Sequence, residues 1–248
     1  MKHVFLFLFM AVAITASAQN LATINTVKPK LGQKMAFETA YKTHVAKFHK
    51  ADEKISTWEI LSGKWAGHYH LVNGGQSMAD FDKERADANA HSVELDKNFF
   101  PMLQETINGT YSFRDTLSFR PNWTAEKCQV NVRHIHPQKM NAYLAEQRRN
   151  VIIGGSLKSK WWENFSMNFY VQLWSGSDPV VVSVRNLADG FASLENGFYG
   201  TTMANDFKNA YISKYGTLDW ENRDKLMSEA VVSNDVYIMK LRKDMSSQ

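Results

Sequence analysis

One pattern constrains this chain more than any other: the same order of strands and helices can be read twice along it. Residues 22–27 form a short strand punctuated by Pro29 and Gly32, after which Met35, Phe37, Tyr41, Val45 and Phe48 recur at helical spacing. Strands follow at 56–61 and 68–72, the second closed by Asn73-Gly74-Gly75. The spacing predicts a helix over 78–95 and a further helical turn or two over 99–107. A strand is expected over 111–119, where Tyr111, Phe113, Leu117 and Phe119 share one side. The order is β-α-β-β-α-β.

The second half repeats it. A strand over 129–135 is closed by His136-Pro137, as Val27 is followed by Lys28-Pro29, and Gln138-Lys139-Met140 opens a helix as Gln33-Lys34-Met35 does. A strand over 164–174 ends in Trp174-Ser175-Gly176, echoing Leu61-Ser62-Gly63, and another follows at 180–184. Leu187-Ala188-Asp189-Gly190-Phe191 echoes Met78-Ala79-Asp80-Phe81 before helices over 203–214 and 220–231 and a strand over 235–241. Echoes in the same order point to internal duplication. The proline-bearing polar connection Arg120-Pro121-Asn122 divides the chain into 19–121 and 122–248.

Each unit makes an antiparallel four-stranded sheet with both helices on one face, so the other face must be buried against something. Two units in one chain can cover each other. On this element order and these echoes the chain resembles the dimeric α+β barrel superfamily, which is ferredoxin-like and includes proteins similar to antibiotic-biosynthesis monooxygenases, in a tandem fused form. The resemblance implies an α+β fold of two ferredoxin-like repeats packed sheet to sheet as an intramolecular barrel, with ligands bound between the sheets. It also implies a range of activities: cofactor-free monooxygenases, heme-degrading and heme-binding proteins, isomerases.

Lys2 and His3 precede an apolar run over 4–14, then Ala16-Ser17-Ala18, which reads as a secretory signal peptide over residues 1–18 with cleavage after Ala18. The run is too short for a permanent membrane span, and no later stretch approaches that length, so a soluble periplasmic or secreted product is expected. Cys128 is the single cysteine, which leaves no intramolecular disulfide and reads as a small buried hydrophobe. With 44% hydrophobic residues the chain can build its own core. Its 29 Lys+Arg and 25 Asp+Glu are scattered, which gives no nucleic-acid footprint.

Alternation puts His68 and His70 on one strand face and Tyr69 and Leu71 on the other. With Tyr69 and Leu71 toward the helices, both imidazoles point into the barrel, where either can serve as a general base near neutrality. The sequence identifies no further ligands that would make this pair, or His134 and His136, a metal site. Aligning the prolines pairs Asn25 with Arg133 and Ile24 with Val132. With the apolar pair toward the helices, Asn25 and Arg133 face the cavity and can polarise a substrate oxygen. Trp58 and Trp65 flank the His68 strand and suit the wall of a flat ligand site. Trp161-Trp162, after Lys158 and Lys160, is a candidate partner-facing or membrane-surface patch.

The heme-degrading members of the superfamily carry an Asn on the first strand, an aromatic on the second helix and a His ten residues on. Asn25, Phe81 and His91 resemble that arrangement, although the family's aromatic is Trp. Heme is thus open through the resemblance alone, and no motif demands a cofactor. No Walker loop, nucleophile elbow, zinc-protease helix or EF-hand loop is present. The expected function is binding of a small apolar or aromatic ligand in the barrel cavity, by a monomer or homodimer. The alternatives are a cofactor-independent monooxygenase or isomerase with a His base, and a heme-binding or heme-degrading protein.

Overall fold

The computed structural model describes residues 20–50, 54–158, 162, 164–176, 178–194 and 201–247, with backbone alone at Thr201. The expected signal peptide and Trp161 lie outside these residues. Alternating apolar and polar positions build eight strands: β1 (Leu21–Pro29), β2 (Ile55–Ile60), β3 (Tyr69–Gln76), β4 (Leu103–Phe113), β5 (Lys127–Ile135), β6 (Ser166–Leu173), β7 (Val180–Asn186) and β8 (Val231–Leu241). Helical spacing of apolar residues builds α1 (Lys34–Phe48), α2 (Ala88–Asn98), α3 (Met140–Ser156), α4 (Thr201–Tyr215) and α5 (Thr217–Ala230). No helix among the described residues is long and apolar enough to cross a membrane.

The strands close into one barrel in the order β1-β3-β2-β8-β5-β7-β6-β4, every pair antiparallel. The first four strands are thus ordered β4-β1-β3-β2 and the last four β8-β5-β7-β6. Two seams join these sets. β2 meets β8 over Trp58–Ile60, and β4 meets β6 over Thr110–Phe113. Closure gives every strand a partner on both sides, although the two seams are short, at three and four registered positions.

Both faces of the barrel sheet carry buried side chains. Outside, Val27, Tyr69 and Leu71 pack under Phe37, Tyr41 and Val45 of α1, with the Phe99 ring tilted against Phe37 and Tyr41. On the other side Ile135, Phe169 and Val181 pack under Tyr143 of α3 and Ala230 at the end of α5. Trp162 is buried with Phe119, Phe165 and Met203, so that half of the expected surface patch is core. Inside the barrel, Cys128, Val130, Val182, Tyr237 and Met239 form a separate cluster.

Four expectations are corrected. The helix over 78–95 is instead a 3-10 turn, Met78–Asp82, and then α2. The Asp80 carboxylate accepts from the Ser77 backbone N–H and hydroxyl, both at 2.7 Å, which closes one turn on itself. Residues 83–87, Lys-Glu-Arg-Ala-Asp, then offer little apolar surface to continue it. The helical turns over 99–107 shrink to Phe100–Met102 around Pro101, because β4 begins at Leu103. The strand over 111–119 ends at Phe113. Leu117 lies in a 3-10 turn and Phe119 makes only a single bridge to Met167. Finally, the Gly74-Gly75 pair does not close β3, which continues to Gln76 beside β1.

Candidate functional site

Strand parity decides what faces the barrel interior. Ala22 and Ile24 of β1 line a cavity of about 940 Å³, and Thr26 follows them by alternation, while Leu21 and Val27 lie on the opposite face. Ile24, Val130 and Val182 supply aliphatic wall, and Trp58, Tyr111, Trp123 and Tyr170 supply aromatic wall. This is the composition of a pocket for a flat, mainly apolar molecule.

His70 projects into that wall from β3, and Lys54, Lys243, Asn122, Asn168 and Asn186 also line the cavity. His70 sits opposite Thr26 on β1 and Trp58 on β2 in the strand register. Its Nδ1 lies 2.8 Å from the Thr26 hydroxyl and its Nε2 lies 2.7 Å from the hydroxyl of Tyr237 on β8. Because β2 separates β3 from β8, the His70–Tyr237 bond spans the interior rather than a strand pair. Burial, with a smaller contribution from His68, lowers the His70 pKa to about 4, so the ring is neutral at neutral pH. Burial likewise raises the phenols of Tyr237 and Tyr111, and raises Tyr170 and the Cys128 thiol to about 12. Cys128 donates to Asn186 Oδ1 at 3.4 Å and behaves as the buried hydrophobe its sequence context suggests. His70 and these phenols therefore offer a ligand neutral hydrogen bonds, and the charged side chains lining the cavity are Lys54 and Lys243.

The structure separates the sequence candidates. Tyr69 and Leu71 do face the helices, and His70 does line the cavity. His68 lies just before β3 and is buried beside the Trp65 ring, with Nδ1 2.9 Å from the Trp65 carbonyl and Nε2 3.4 Å from Glu105. It is not among the cavity-lining residues, and neither is Trp65, whereas Trp58 is. Asn25 and Arg133 require correction. Ile24 lines the cavity, and Val132 packs on the interior cluster, so their neighbours Asn25 and Arg133 point outward. Arg133 donates to the Tyr143 hydroxyl on α3 at 3.3 Å. The physical reason is that an apolar cavity claims the apolar side of each strand.

Phe81 is 45% exposed in the 3-10 turn, away from the cavity-lining residues. His91 lies on α2, with Nε2 3.4 Å from Nε2 of His49. Heme needs an axial side chain. Among the described cavity residues the histidine is His70, and both its ring nitrogens are hydrogen-bonded. Sequence reasoning missed Thr26 and Tyr237. Tyr237 and Met239, two residues apart on the closing strand, were the available signal.

No family model matches the chain. A stretch of 153 residues, 60% of this chain, is 26% identical to the TiaS 2-agmatinylcytidine synthetase of Methanococcus voltae, but it spans only 28% of that protein's length. Solved structures align over almost all of the chain. An anthrone oxidase-like protein is 10% identical with a TM-score of 0.55, covering 92% of this chain and 94% of its own. A Fusobacterium nucleatum protein provisionally described as a monooxygenase is 8% identical with a TM-score of 0.55 and the same coverages. A protein provisionally described as a chlorite dismutase is 7% identical with a TM-score of 0.52, covering 91% and 96%. At such identities the likeness is one of fold. The eight-stranded barrel, its outer helices and these neighbours together give the chain the fold of the dimeric α+β barrel superfamily.

Proposed function

We propose that the barrel cavity binds a small, flat, mainly apolar molecule carrying one polar group, and that the His70–Tyr237 pair holds that group. The observation that carries this reading is the neutral His70–Tyr237 hydrogen bond across a cavity whose wall is rich in apolar and aromatic side chains. Binding is favoured over base catalysis because a ring with a pKa of about 4 is a weak base at neutral pH. The names of the structural neighbours make oxygenation the natural second activity to assay.

The reading includes two ferredoxin-like repeats, 19–121 and 122–248, descended from one duplicated unit. Supporting it, β4-β1-β3-β2 and β8-β5-β7-β6 are the same order shifted by four strands. The echoed turns also match in backbone, since Gly63 and Gly176 both adopt positive φ, at 75° and 79°. Export through the signal peptide completes the proposal, with the mature chain beginning at Gln19.

Native mass spectrometry of the mature protein from its own host should show a small organic adduct. A flat phenol such as 1-naphthol should quench the fluorescence of Trp58 and Trp123. Tyr237→Phe should weaken that binding about 5–30-fold, the worth of one or two hydrogen bonds. Val182→Trp, which fills the cavity, should abolish it. Unchanged probe affinity in both variants would remove the cavity from the reading, and a heme-mass adduct would replace the neutral ligand. Steady oxygen consumption with the bound molecule would turn the binder into an enzyme.

A further inference from the structure

We propose that His44, His49 and His91 bind one divalent transition-metal ion of the zinc type, at a site outside the barrel between α1 and α2. His44 lies on α1, His49 follows its last turn and His91 lies on α2, so two helices and a loop start converge there. Nε2 of His44 and Nε2 of His49 are 3.0 Å apart, and Nε2 of His49 and Nε2 of His91 are 3.4 Å apart. One ring nitrogen from each of the three lies within 4.8 Å of the others. Nitrogens about 2.0–2.1 Å from a tetrahedral ion sit about 3.3 Å from one another, so the 3.0 and 3.4 Å spacings already suit one ion and the third pair, within 4.8 Å, closes on binding.

The hydrogen bonding favours a cation at this point. Nδ1 of His44 meets the Glu94 carboxylate. An ionised carboxylate only accepts, so the His44 proton resides on Nδ1 and its Nε2 presents a lone pair. A carboxylate on the far nitrogen of an imidazole is the arrangement that orients metal-bound histidines. Without an ion, a single Nε2 proton on His49 can serve only one of its two neighbours. With an ion, all three lone pairs share one acceptor. The surrounding charges nearly balance: Arg85 lies within 3.0 Å of Asp87, and Lys47 is offset by Glu94. Nitrogen donors of this kind suit Zn²⁺, Co²⁺, Ni²⁺ or Cu²⁺ rather than Ca²⁺ or Mg²⁺. Three protein nitrogens leave a fourth position for water.

The site also answers a structural need. None of the residues of α2 is buried, although Leu95 packs against the α1 cluster. An ion shared by His91 with His44 and His49 fastens this shallow helix to α1.

The test uses the full mature chain, stripped with chelator and titrated with Zn²⁺ and with Co²⁺. One equivalent should bind at about micromolar affinity or tighter, and Co²⁺ should give visible d–d bands of tetrahedral intensity. His91→Ala, at a half-buried position, should lose at least about 100-fold in affinity, and Glu94→Gln about 10–100-fold. His136→Ala should keep the ion. Zinc should also slow amide exchange in α2. X-ray absorption of the wild-type zinc protein gives a readout independent of any variant, and should show three imidazoles. Absence of stoichiometric uptake, undiminished binding by His91→Ala, or a first shell without three imidazoles would each overturn the site.

Discussion

A cluster of coupled charges lies where the C-terminal segment meets α1. Arg242 donates to both Glu38 oxygens, at 2.8 and 2.9 Å, and to Glu59 at 3.1 Å, while the Tyr69 hydroxyl donates to Glu38 at 2.6 Å. A bidentate guanidinium and a phenol holding one buried carboxylate favour its ionised form, and they lower the Glu38 pKa to about 2 against desolvation. The sign follows from linkage. The unfolded chain binds the Glu38 proton more readily than the folded one, so this stabilisation is complete above about pH 5 and is lost as pH falls toward 2. Asp244, held by Arg242 and Lys42, adds to the same trend. Urea midpoints measured from pH 6 to pH 3 should therefore fall, and Glu38→Gln should flatten the fall while lowering stability at pH 6 by about 3 kcal/mol. An equal slope in the variant would assign the acid sensitivity to other groups. His70 adds a contrasting case. Its neutrality down to about pH 4 rests on burial, so its ring resonances should stay constant between pH 8 and pH 5.5.

Among the strand pairs, the one joining β2 to β8 is the shortest, with three registered positions, and the turn after β2 reinforces it. Leu61 N–H donates to the Ile238 carbonyl and Ile238 N–H donates to the Ser62 hydroxyl. Gly63 then takes φ of 75°, and a Cβ there would sit 2.7 Å from the Val236 carbonyl oxygen. Gly67, in the same connection, has φ of 81° and open space around it. Positive φ costs about 1–2 kcal/mol for alanine at either position, and the backbone contact adds to it only at Gly63. Gly63→Ala should lower Tm by about 6–10 °C and Gly67→Ala by about half that. Equal losses would mean the seam yields freely. The strands on either side were readable in the sequence because alternation is a local property, and the Ser62-Gly63 turn was marked by its echo. The segment over 78–119 was misread because its limits are set by Asp80 capping its own turn and by β4 pairing with β1 from Leu103. Facing was the deeper difficulty. Both faces of the barrel sheet carry buried side chains, so alternation separates Asn25 from Ile24 without saying which is inside. The closing of the cavity by Tyr237, 167 residues from His70, is a tertiary event with no local mark.

The cavity belongs to neither half of the chain. His70 comes from the first four strands and Tyr237 from the last four, and the wall mixes Ile24 and Trp58 with Val130 and Val182. Each half alone would expose its apolar inner face and the two strand edges that form the seams, β2 and β4 on one side, β8 and β6 on the other. Those edges are complementary, since β2 pairs with β8 and β4 with β6, and the inner faces lose apolar exposure only by meeting. Separated at the Arg120–Asn122 connection and produced together, 19–121 and 122–248 should co-purify as one particle with the mass of the intact mature chain. That particle should regain 1-naphthol binding, whereas neither half should bind it alone. The shared strand order adds a sharper expectation. In the first half β4 holds the place that β8 holds in the second, so 19–121 by itself should pair β2 of one copy with β4 of another and form a two-fold dimer. Its cavity would then contain two copies of His70 and no Tyr237. Sedimentation analysis decides between these outcomes: two stable monomers that ignore each other would show that the barrel is one folding unit with no autonomous repeats. A first-half dimer would instead support the origin of this barrel by fusion of a self-pairing ancestor, with the His70–Tyr237 bond acquired after the two copies became free to differ.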